Sequence, residues 1–132
     1  MNMKRMLFVP VAALAVLFSA CSKDDNKSGG GACFADSFEL TETDRRPDNA
    51  GGQVFLDFDV KNTSANNYDI ATGSRVVNLK MVVTTTDGSK YETIAPLTVT
   101  SLTGGATTTT LTLAKYGVGK EFSSVTITKS CR

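Results

Sequence analysis

Val54-Phe55-Leu56-Asp57-Phe58-Asp59-Val60-Lys61 decides the fold. Val54, Leu56, Phe58 and Val60 alternate with Phe55, Asp57, Asp59 and Lys61, and a period of two places every second side chain on one face of a strand. Downstream, Val77, Leu79, Met81 and Val83 alternate in the same way with Asn78, Lys80, Val82 and Thr84. Thr86-Asp87-Gly88-Ser89 then predicts a hairpin turn in which Gly88 takes a positive φ, with the return strand opening at Lys90-Tyr91-Glu92. Pro96 has no N–H for a ladder, so it belongs on an edge strand or where the chain passes between sheets.

Toward the N-terminus, Phe34 to Leu40 reads as the first strand, with Phe34, Phe38 and Leu40 on one face. Arg45-Arg46-Pro47-Asp48-Asn49-Ala50-Gly51-Gly52 reads as a long polar surface connection, the kind of segment that carries function. Toward the C-terminus, Gly104-Gly105 marks a turn, and Thr107 to Leu113 is β-branched and strand-forming. Gly117 and Gly119 break the chain before Glu121 to Ser130, where Val125 and Ile127 point inward. No segment carries a helical stripe. These features predict an all-β domain over residues 32–132, an antiparallel immunoglobulin-like β-sandwich of six to seven strands.

The first thirty residues have a different character. Lys4 and Arg5 precede Met6 to Phe18, an apolar run of 13 residues containing Pro10. A helix needs about 20 residues to span a bilayer, so this run is too short. A basic start, a short apolar core and small residues after it predict a secretory signal peptide over residues 1–20. Leu17-Phe18-Ser19-Ala20-Cys21 resembles the lipobox of bacterial lipoproteins, although Phe18 stands where that pattern has Leu and Leu17 is displaced by one. The resemblance implies cleavage before Cys21 and a diacylglycerol-bearing, acylated (palmitate-type) cysteine. Ordinary cleavage after Ala20 is the alternative, but bulky Phe18 fits it badly.

Residues 21–31 comprise this cysteine and Ser22-Lys23-Asp24-Asp25-Asn26-Lys27-Ser28-Gly29-Gly30-Gly31, a polar, glycine-rich tether. Cys21-Ser22-Lys23-Asp24-Asp25 is similar to the start of surface-exposed lipoproteins of the Bacteroidetes. That resemblance implies an outer-membrane protein facing the cell exterior, with a periplasm-facing anchor as second choice. Loss of residues 1–20 takes Lys4 and Arg5 from 14 basic residues and nothing from 13 acidic ones, so the net charge falls from +1 to −1. Such a surface neither steers nucleic acid nor clings to headgroups, and membrane attachment falls to the lipid on Cys21.

Three cysteines would leave one odd thiol in a secreted chain. With Cys21 assigned to lipid, Cys33 and Cys131 remain, bracketing the folded segment, and an extracytoplasmic compartment permits a bond between them. Two buried free thiols are the alternative. Six strands that each reverse direction would bring both cysteines to one end, whereas seven would separate them beyond the roughly 4.4–6.8 Å Cα spacing of a disulfide.

Val60-Lys61-Asn62-Thr63-Ser64, Asp87-Gly88-Ser89-Lys90-Tyr91 and Gly105-Ala106-Thr107 occur in the order seen in small immunoglobulin-like domains of bacterial lipoproteins. The chain resembles these over about 70 residues (sequence span). The resemblance implies an accessory or binding module without catalytic residues.

With no His in the chain, ordinary general-base, Ser-His and Cys-His chemistry and His-ligated metal are excluded. Asp57, Asp59 and Asp69, with Asn62, Asn66 and Asn67 nearby in sequence, are candidate calcium ligands without the spacing of an EF-hand loop. Alternate acids on a strand also describe its wet face. Asp57, Asp59, Glu39 and Glu42 would carry a carboxylate-dependent hydrolase, the alternative reading of function. Tyr68, Tyr91 and Tyr116 could stack on sugars, but without Trp they more simply cover a core edge. No cofactor motif is present. The leading expectation is a non-catalytic, lipid-anchored envelope protein with a protein or glycan partner.

Overall fold

The computed structural model describes residues 31–132. Cys21, the signal segment and most of the tether lie outside those residues. Eight strands follow one another: β1 (Phe38–Asp48), β2 (Gln53–Asn62), β3 (Tyr68–Asp69), β4 (Val77–Thr85), β5 (Lys90–Pro96), β6 (Ser101–Leu102), β7 (Thr107–Lys115) and β8 (Phe122–Cys131). The six long ones form two three-stranded antiparallel sheets, β1-β2-β7 and β5-β4-β8, while β3 and β6 pair separately. The fold is the expected all-β sandwich.

The central strands supply the core. Val54, Leu56, Phe58 and Val60 of β2 and Val77, Leu79, Met81 and Val83 of β4 are all buried, as their alternation predicts. Tyr68 of β3 closes the core at one end, its ring edge-on to Phe34 and Phe38 at 5.3 and 4.9 Å. Thus Tyr68 is a core residue. The turn at Gly88 forms with φ 85°, and Pro96 ends β5, an edge strand.

Two expectations near the N-terminus are corrected. Phe34 lies in a turn, with the Ser37 and Phe38 amides both donating to its carbonyl at 3.0 Å, and the strand starts only at Phe38. Arg45 to Asp48 are not loop: they continue β1 opposite Leu56 to Gln53, past a bulge between Glu42 and Asp44. Polar side chains suit an edge strand, and Pro47 sits at a ladder position facing the free edge, where its missing N–H breaks no bond.

Cys33 and Cys131 are joined, with Cα atoms 5.7 Å apart across a sequence separation of 98. Cys33 leads into β1 and Cys131 ends β8, so the two strands run in opposite directions and one pole of the sandwich holds both ends of the described segment. Six long strands satisfy the even count.

Candidate functional site: the loop pole opposite the disulfide

The disulfide orients the molecule. Because Cys131 opposes Val77, β4 starts at the disulfide pole, and the connections at 49–52, 86–89 and 116–121 gather at the far pole.

Asn49 binds two of the far-pole connections. Its carbonyl accepts the Gly119 amide at 2.9 Å, and its side-chain Oδ1 accepts the Tyr116 hydroxyl at 2.7 Å and the Phe122 amide at 3.1 Å. Gly52 lies beneath, with φ 66°, its carbonyl accepting the Tyr116 amide at 2.7 Å. A Cβ on Gly52 would lie 2.4 Å from the Tyr116 carbonyl oxygen and 2.7 Å from the Val118 nitrogen, so only glycine fits.

The third connection is tied in by charge and backbone. The Thr86 amide donates to the Glu121 carbonyl at 2.9 Å, and Lys120 Nζ meets Asp87 Oδ2 at 2.6 Å. Asp87 also accepts from Thr85 Oγ1 at 2.6 Å and from the Ser89 amide at 3.1 Å. Lys120 first, then these donors, hold the Asp87 carboxyl well below the usual carboxylate range, and Asp87 raises Lys120 in return. Burial raises the Tyr116 phenol, with the Asp48 charge adding to it.

Few large side chains rise from this braced frame. Ala50, Gly51, Gly88 and Gly119 are exposed, and Val118 projects with 78% of its surface in water. Val118 thus stands as an exposed apolar side chain among small residues. Sequence reasoning singled out Tyr116, the glycines and the 45–52 segment, but not Val118 or the role of Asn49, since nothing local distinguishes a bracing asparagine from any other turn residue.

The remaining candidates are dispersed. Asp57 faces outward from β2 and pairs with Arg46 at 2.9 Å, which also holds Asp44 at 2.6 Å. Asp59 lies two residues along the same face, half-buried. Asp69 instead caps a short 3-10 turn at Ile70–Thr72, accepting the Ala71 amide at 2.9 Å. Asn62 is buried and donates to the Leu102 and Asn66 carbonyls, while Asn67 accepts the Gly104 amide. Among the described residues no three acids or cysteines converge, and the structure does not bring Asp69 together with Asp57 and Asp59. Glu39 is exposed on β1, and Glu42 takes Arg45 in a two-pronged pair at 2.6 and 2.8 Å. Tyr91 is half-buried against the core and Tyr116 is buried, so the tyrosines form no open platform.

No protein-family pattern, curated protein or solved structure matches the chain. Among the described residues no helix is long and apolar enough to cross a membrane.

Proposed function

We propose that this chain is a non-catalytic, lipid-anchored protein of the cell envelope, held through acyl groups on Cys21 in the outer membrane and facing the cell exterior. The disulfide carries this reading. It belongs to an oxidising compartment beyond the cytoplasm and accounts for two of three cysteines, leaving Cys21, which directly follows the apolar leader. Several acyl chains would anchor it stably where one would not.

The far pole is then the surface that meets a protein or glycan, with Val118 at its apex. Against the hydrolase alternative, Glu42 and Asp57 are engaged by arginines and the four candidate carboxylates share no enclosed site.

Replacing Cys21 by serine tests the anchor. The expected result is loss of lipid labelling and release from the membrane fraction; a variant that stays membrane-bound contradicts it. Protease added to intact cells tests orientation: digestion supports the outward face, and full protection supports the periplasmic one.

A further inference from the structure

Both β1 and β8 are edge strands, and they border the same open side of the sandwich. Between them runs a groove of about 460 Å³ with Leu40, Phe58, Val125 and Ile127 on its walls. The opposite side, between β5 and β7, is stitched shut by the Lys115 amide donating to Thr93 Oγ1 at 3.0 Å and by a hydrogen bond between the Thr98 and Thr110 hydroxyls.

The ladders show which backbone groups face the groove. The Arg132 amide donates to the Val76 carbonyl, which fixes the phase of β8 on β4 and turns the N–H and C=O groups of Val125, Ile127 and Lys129 to the free edge. The Thr63 amide donates to the Ser37 carbonyl, which likewise turns those of Phe38, Leu40 and Glu42 outward from β1. Lys129 Nζ donates to the Phe38 carbonyl, as that phase requires. Of these residues, Leu40, Glu42, Val125, Ile127 and Lys129 also line the groove. In an immunoglobulin-like sandwich the place beside β8 belongs to a seventh strand, and among the described residues none occupies it.

We propose that a second copy of this chain fills that place, β1 of each copy pairing antiparallel with β8 of the other about a two-fold axis parallel to the strands. β1 and β8 run in opposite directions within one chain, so this single rotation makes both pairings at once and continues both sheets across the interface. Charge favours the crossed pairing. The free stretch of β1 carries Glu39 and Glu42, and β8 carries Lys129 and no acid. Pairing β1 with itself would bring Glu39 of both copies, which no cation neutralises as Arg45 does Glu42, into one stretch, whereas Leu40 opposite Ile127 of the second copy sets Glu39 opposite Thr128 and Glu42 opposite Val125 and opposes no like charges.

The same axis puts both disulfide poles on one side, so on the anchored reading proposed above both copies can attach to one membrane surface. Confinement there raises the effective concentration of each copy for the other. Lys129 must leave the Phe38 carbonyl on pairing, a side-chain change common at interfaces.

The register makes Thr41 and Thr126 of different copies direct neighbours. Within one copy they lie on the outer faces of opposite sheets, which stack about 10 Å apart, beyond disulfide reach. The test is the full chain carrying Thr41→Cys and Thr126→Cys together, expressed in its own membranes and run without reductant. A covalent dimer that collapses on reduction is expected from the double variant and from neither single variant. A monomeric double variant overturns the proposal, as does a dimer from Thr41→Cys alone, which would mean β1 paired with β1. Should the added thiols disturb the native bond, sedimentation of the unaltered chain in density-matched detergent decides. Twice the protein mass, lost in Leu40→Glu, is expected, and a monomer overturns it. Because sedimentation does not require attachment to a membrane, its failure is separable from failure of the anchor.

Discussion

β4 and β8 lie side by side and read alike in sequence, yet they are held in place by different means. The inward row of β4 is fully buried because a strand flanks it on each side, while Val125 and Ile127 of β8 are only half-buried beside the open groove. β8 is instead secured at its ends. Cys131 is covalently joined to Cys33, and at the other end the Phe122 amide, Lys120 and the Glu121 carbonyl are tied to Asn49, Asp87 and Thr86. An edge strand whose outer flank is open cannot draw its stability from that flank, and ties at both ends supply it.

The largest expected effect comes from removing the covalent tie. Cys33→Ala with Cys131→Ala releases a loop of 98 residues in sequence separation, which in the chain-entropy model is worth about 4–5 kcal/mol. The melting temperature should fall by many degrees while the β circular dichroism of the folded state persists; an unchanged melting temperature would mean that β8 needs no end tie.

The packing difference is measured by a matched pair. Leu79→Ala should cost about 2–5 kcal/mol and Ile127→Ala, on the half-exposed row, about 1 kcal/mol in denaturant unfolding of the monomer. Equal losses would mean that the two rows are packed alike.

Much of this contrast was hidden in the sequence. Alternation revealed which residues of β2 and β4 face inward, because period two is a local property. It assigned Val125 and Ile127 inward as well, but burial depends on which strands flank β8, and that is set by distant pairing. The charged run Arg45 to Asp48 resembled a loop because its polar side chains and Pro47 are tolerated only on an edge strand, and edge status is likewise nonlocal. The disulfide could be read by elimination among three cysteines. The far pole was legible only as turns, since Asn49 works through residues 67 and 73 positions away.

A smaller effect is expected at that pole. Asn49→Ala leaves the Tyr116 hydroxyl and the Phe122 amide without their acceptor and should cost about 1–2 kcal/mol. Hydrogen exchange should quicken at the start of β8 before it does in β4. Uniform quickening would show that Asn49 does not act as a local tie.

The smallest expected effect is electrostatic. Asp87 is held below its ordinary value in the folded state, so its contribution is present above the usual carboxylate range and is lost as pH falls through and below that range. At low salt, the melting-temperature advantage of the native chain over Asp87→Asn should narrow on acidification from about pH 6 to pH 2. A gap that widened would have the wrong sign for a carboxylate stabilised by Lys120.

Function turns on Cys21. Mass spectrometry of the N-terminal peptide of the protein isolated from its own cells addresses it most directly. The anchored reading predicts a mature chain beginning at Cys21, with residues 1–20 gone and the cysteine carrying diacylglycerol and acyl groups. A peptide that retains residues before Cys21, or an unmodified Cys21 thiol, would contradict it.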